Sequence, residues 1–141
     1  MSRLLSVLIM AFGFVCCLIG LGHIVFGPAI IPGSIPVNAT MDSEDRFYAT
    51  LFLGFGGALM WCSRDLQNRE TLFGGLLVTF FLAGISRIVS AIAVGWPNHL
   101  FIFLGALELG LPPLFWCWHR FTLRQQVSDL QLTASQPPAL K

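Results

Sequence analysis

The chain has 141 residues, 55% of them apolar and only 11% charged, with a formal net charge of +1 and a mean hydropathy of +0.76. A soluble domain carries roughly 25% charged residues, so a water-soluble globular protein is excluded, and the eight basic residues are too dispersed to form a nucleic-acid surface. The remaining class is an all-α polytopic membrane protein, a four-transmembrane-helix bundle with helices over about residues 4–27, 46–63, 71–94 and 99–118.

The opening MSRLLSVLIMAFGFVCCLIG has the arginine and apolar core of a signal peptide, but the apolar run continues to about Ile31 with no A-x-A-like site. It is read as a retained first helix, ended by Pro28, which has no N–H to continue the ladder. Gly13, Cys16, Gly20, His23 and Gly27 fall on one stripe of that helix, where a neighbouring backbone can approach closely. Cys16 and Cys17 lie near mid-membrane, and disulfides are not expected.

The first connection, IIPGSIPVNATMDSED, should lie irregularly over the outer mouth of the bundle. Asp42 or Ser43 is placed to cap the second helix, and Glu44 and Asp45 suit the positive end of its dipole. In that helix Arg46, Thr50, Gly54, Gly57 and Trp61 share a face, and the GFGG segment predicts close packing there. Arg46 either stands over the mouth that His23 approaches or reaches lipid phosphate while paired with Asp42 or Asp45. The second connection, SRDLQNRE, reads as an ordinary loop without chemistry.

The third helix carries Phe80, Gly84, Arg87, Ser90 and Val94 on one face, and the fourth carries Phe101, Gly105, Glu108 and Pro112. A charge in hydrocarbon is costly unless answered. Positions 87 and 108 lie equally far from the Pro97-Asn98 turn, so antiparallel helices bring them to one depth, roughly 10–13 Å from the outer helix ends at about 1.5 Å per residue. Pro112-Pro113 withdraws two backbone donors one turn below Glu108. Residues 122–141 form a tail that begins with one or two helical turns and ends disordered.

Arg3, Arg64, Arg69, Arg120, Arg124 and Lys141 all fall at the termini and the second connection. By the positive-inside rule both termini are then cytoplasmic. His23, Arg46, Arg87 and Glu108 converge on the outer half of the bundle, and the inner half has no counterpart. Two readings stay open for this centre: a buried Arg87–Glu108 pair that fixes helix register, or a ligand pocket in which Glu108 and His23 are the catalytic candidates. Cys62, Cys117 and His119 lack metal-site spacing, and no nucleophile, phosphate-loop or dinucleotide motif is present, so no metal and no cofactor is expected.

The segments DRFYATLFLGFGG and GISRIVSAIAVGWPNHLFIFLGALELGLPP resemble the small four-helix bacterial membrane proteins of domain-of-unknown-function family 4345, similar in layout to DoxX-like proteins. In that pattern an acid-Arg-Phe-Tyr opens the second helix, an Arg-x-x-Ser lies in the third, a Gly-x-Pro makes the turn and a Glu sits in the fourth. The matching positions are Asp45, Arg46, Phe47, Tyr48, Arg87, Ser90, Gly95, Pro97 and Glu108. The resemblance covers about residues 4–121 and implies the fold and the polar centre, while the family's activity is not established. With it, Ser90 and Tyr48 join Arg46, Arg87, Glu108 and His23 as the candidate ligand-binding set.

The expected role is an accessory or interaction subunit of a bacterial inner-membrane complex. Its partners are then the lipid bilayer and other membrane subunits or further copies of itself, with no nucleic acid. The alternative is a binder, carrier or isomerase-type enzyme for a small amphiphile. Proton-coupled transport by an oligomer ranks behind both.

Overall fold

The computed structural model of the protein describes residues 2–134. Four long helices, α1 (Ser2–Phe26), α2 (Ala39–Ser63), α3 (Glu70–Val94) and α4 (His99–Ala134), are joined in series, with a 3-10 turn at Gly27–Ile30. No strand occurs among the described residues. Three stretches are long and apolar enough to cross a membrane: Arg3–Ile30, Glu70–Val94 and His99–Gln125. α2 is not among them, because Asp42, Glu44, Asp45 and Arg46 occupy its first two turns and glycines dilute the rest.

α2 begins well before the expected Arg46. Asn38, not Asp42 or Ser43, is its cap: the Asn38 side chain accepts from the Met41 N–H at 2.9 Å. Asp42 is thereby left in the first helical turn, where its charge suits the dipole and its carboxylate is free for a side-chain partner. At the other extreme, α4 runs about four turns past Trp118, and Pro112 and Pro113 lie inside it without ending it. The rest of the expected disordered tail, residues 135–141, lies outside the described residues.

The helices form two antiparallel hairpins. In the first, the α1 stripe is used as expected, and the backbones touch. A Cβ on Gly13 would stand 2.7 Å from the Gly56 carbonyl oxygen, one on Gly56 2.6 Å from that of Gly13, and one on Gly20 2.9 Å from that of Ala49. The α2 stripe is different from the expected one. Gly54 and Gly57 face open space, and Thr50 and Trp61 are exposed, while Ala49, Gly56 and Leu59 are buried. In GFGG, the glycine that packs is the one a single position away, because about 100° per residue separates Gly56 from Gly57.

In the second hairpin α3 and α4 approach at Gly84, where a Cβ would lie 2.8 Å from the Leu109 side chain, and at Gly74, 3.2 Å from the Trp116 ring. The hairpins join at the end that holds the chain's start and the α2–α3 connection, called proximal here. Leu5, Ile9, Leu59, Cys62, Leu66, Phe73, Leu77 and Phe115 form a buried cluster there. Above it, one ring from each helix closes the core: Phe12 meets Phe80 at 5.0 Å and Phe115 at 6.3 Å, and Phe55 stacks on Phe80 at 5.7 Å. Beyond this aromatic layer, toward the distal end, no hydrogen bond or ring contact links the two hairpins among the described residues. Residues 92–100 are exposed throughout.

Candidate functional site

The distal half is where the sequence places its polar residues, and the structure divides them into two groups. In the first hairpin, α1 stops at Gly27, whose φ of +60° is a left-handed conformation that glycine adopts freely. Helix ends leave carbonyls without partners, and here a side chain from the other helix supplies them. The Arg46 guanidinium donates through Nη1 to the carbonyl of Ile24, and to that of Val25 at 3.4 Å.

The same guanidinium donates through Nε to Asp42 at 2.8 Å and through Nη2 at 3.2 Å. Arg46 beside it holds the Asp42 carboxyl below the usual aspartate range, chiefly by this hydrogen bond. A Cβ on Gly27 would stand 2.6 Å from Asp42 Oδ1, so the missing side chain makes room for the pair. Three residues after Asp42 in α2, Asp45 meets His23 Nδ1 at 3.1 Å and 3.2 Å. His23 and Arg46 are therefore both engaged in joining the end of α1 to the start of α2.

In the second hairpin, Arg87 and Glu108 form a two-pronged pair. Arg87 donates from Nε to Glu108 Oε2 at 2.6 Å and from Nη2 to Oε1 at 2.8 Å, the planar geometry that suits guanidinium and carboxylate. The two partners differ in exposure: the Glu108 side chain is 9% exposed and that of Arg87 36%. Gly84 allows the approach, since a Cβ there would lie 3.1 Å from Glu108 Cβ, and Gly105 leaves room beside the Arg87 stem. The guanidinium also lies over the Phe101 ring, 5.5 Å from its centre. Its Nη1 makes no hydrogen bond among the described residues.

Of the remaining candidates, Ser90 and Tyr48 are exposed, and Tyr48 packs edge-on against Phe47 at 5.5 Å. Neither is brought to Arg87 or Arg46. The four polar groups are thus engaged in three pairings, His23 with Asp45, Arg46 with Asp42 and Arg87 with Glu108, each within one hairpin, and among the described residues no side-chain hydrogen bond joins the two hairpins distally. The first connection does reach across. Ile31, Ser34 and Val37 share a cavity of about 370 Å³ with Pro97, Asn98 and Phe101, which sets the connection against the α3–α4 turn and beside the ring that carries Arg87.

The proximal half, where no counterpart to the outer polar centre is expected, also gathers polar groups. Asp65 and Gln67 of the supposedly featureless connection, Ser6 of α1, and His119 and Thr122 of α4 line a cavity of about 180 Å³. His119 is 3% exposed and its Nε2 has no hydrogen-bond partner among the described residues. Periodicity on any one helix gives no sign of this cavity, since its residues come from three separate segments. The only local signal is Asp-x-x-Asn at 65–68, a pattern that closes a turn on itself: Asn68 Nδ2 donates to Asp65 at 2.8 Å. Two nearby arginines are held elsewhere, Arg69 over the Trp61 ring at 4.1 Å and Arg120 on Glu70 at 3.2 Å.

A family described as "Domain of unknown function (DUF4345)" matches residues 4–119, which spans the first three helices and α4 as far as His119. No curated protein and no solved structure matches the chain.

Proposed function

The chain belongs to the DUF4345 family, and from that premise we propose that it is an accessory or interaction subunit of a complex in the bacterial inner membrane. In this reading all four helices cross the bilayer, α2 included, with both termini cytoplasmic. The clustering of Arg3, Arg64, Arg69, Arg120 and Arg124 at the proximal end supports that orientation. α2 crosses as a partner of α1, its polar first turns lying at the distal interface where Asp42 and Arg46 are half-exposed.

The observation that carries the reading is the unfinished state of Arg87. Its side chain is a third open and its Nη1 donors are unpaired among the described residues, although it lies roughly 10 Å along α3 from the helix end. In hydrocarbon such a group requires an acceptor. The surrounding distal arm, with Ile92, Val94 and Trp96 at 81%, 89% and 81% exposure, is covered by nothing else among the described residues. A neighbouring helix with a carbonyl or carboxylate at that depth answers both needs together.

The test is photocrosslinking in native membranes from Ile92 and, for comparison, from Val7 on the proximal part of α1, followed by purification in mild detergent. A defined protein adduct from Ile92, lost in Arg87→Ala, is expected. A chain that yields only lipid adducts and purifies alone excludes the reading. A second reading, a binder of a small amphiphile, is favoured by the cavity beside Phe101, from which an anionic or carbonyl head can reach Arg87.

A further inference from the structure

The proximal cavity has no part in that reading, and its lining is chemically one-sided. Among the described residues no lysine or arginine side chain borders it; its polar wall is Ser6, Asp65, Gln67, His119 and Thr122, and leucines form the remainder. The Thr122 hydroxyl spends its hydrogen on the Trp118 carbonyl at 3.0 Å, so it presents only lone pairs to a visitor. Hydrogen bonds from Asn68 hold the Asp65 carboxyl below its usual range, so it is ionised at neutral pH. Asp65 is a fixed anion at the mouth of the cavity, and His119 brings a buried ring whose Nε2 has no partner among the described residues.

We propose that this cavity binds a primary ammonium group, with the Asp65 carboxylate as counter-charge and the Thr122 and Ser6 oxygens as acceptors for its N–H groups. About 180 Å³ is room for roughly six water molecules at about 30 Å³ each, so an ammonium on a two-carbon stem fits. The chemistry selects against quaternary ammonium: a trimethylated nitrogen has no N–H to give, and is held instead by aromatic faces, of which this wall has only the His119 ring. Asp65 and Leu123 of the cavity lining are the chain neighbours of Arg64 and Arg124, so the group can arrive on a phospholipid head whose phosphate stays outside, or as a free small amine. The proposal stands on the cavity and is independent of any subunit partner.

The experiment uses the full chain in nanodiscs of phosphatidylcholine with phosphatidylethanolamine at equal fraction, and native mass spectrometry to count the lipids retained. Wild type should retain phosphatidylethanolamine in preference to phosphatidylcholine. Asp65→Asn and Thr122→Val should reduce that preference, the first by about tenfold, as expected for the loss of a charge-assisted hydrogen bond. Asn68→Ala, which breaks the turn but keeps the carboxylate, should leave a clear preference and so separates binding from loop structure. Competition by free ethanolamine assigns the site to the amine from either source, and absence of competition assigns it to the lipid head. Equal retention of the two lipids by wild type, or an unchanged preference in Asp65→Asn, overturns the proposal.

Discussion

The two hairpins are built from helices of similar length, yet opposite devices join them. α1 and α2 meet backbone to backbone at Gly13, Gly56 and Gly20, and their charged residues close the distal end, where Arg46 caps the carbonyls of α1. α3 and α4 approach at Gly84 and hold to each other distally by one buried charge pair. Close packing of small residues is satisfied within the chain and leaves nothing over. A guanidinium has five donors and a single carboxylate cannot use them all. The first hairpin is therefore finished, and the second is left with donors to offer.

The sharpest way to break this contrast is to strand the charge. Glu108→Gln leaves Arg87 without its counter-ion, and removing one partner of a buried pair costs about 3 kcal/mol, less where one partner is partly open, as here. Thermal unfolding in detergent should show a marked loss. The double variant Arg87→Met with Glu108→Leu should recover most of the stability, because two apolar side chains carry no desolvation cost. A double variant as unstable as the single one would mean that the pair is not what joins the hairpin.

A smaller effect tests the first hairpin. Gly56→Ala forces a methyl group into the Gly13 carbonyl and should cost about 2 kcal/mol of overpacking. Gly57→Ala, one residue on, meets open space and should be neutral or stabilising by up to about 1 kcal/mol, since alanine is the better helix former. Equal effects at the two positions would contradict the packing face described here.

The smallest effect is a dependence on pH. The Asp42 carboxyl is held below its ordinary value near 3.8 by Arg46. A depressed folded value contributes stability that is complete above the unfolded value and is lost as the pH falls through the folded one. Wild type should therefore exceed Asp42→Asn in melting temperature at neutral pH, and the difference should shrink below about pH 4. A difference that persists undiminished at pH 2 would assign the effect to shape instead of charge.

The sequence by itself determined the parts that depend on one helix or on one turn. Apolar runs fixed the helical class, the α1 stripe followed from the spacing of Gly13, Cys16, Gly20 and Gly27, and the meeting of Arg87 with Glu108 followed from their equal distance from Pro97-Asn98. Each is a matter of helical period and hairpin symmetry, and both are local. The start of α2 was less legible, because Asn38 and the later acids all have cap chemistry and only the backbone angle at Asn38 chooses between them.

Only the tertiary structure decided how the helices face one another. Gly54, Gly56 and Gly57 are equivalent by composition, and which of them packs depends on a rotation of α2 that no residue in α2 specifies. The same holds for the two cavities and for the separation of His23 and Arg46 from Arg87. Those features depend on residues from distant segments and on how the two hairpins are set against each other. Polar spacing along a chain measures depth, but contact between hairpins is set by shape complementarity, here the four aromatic rings that close the proximal core.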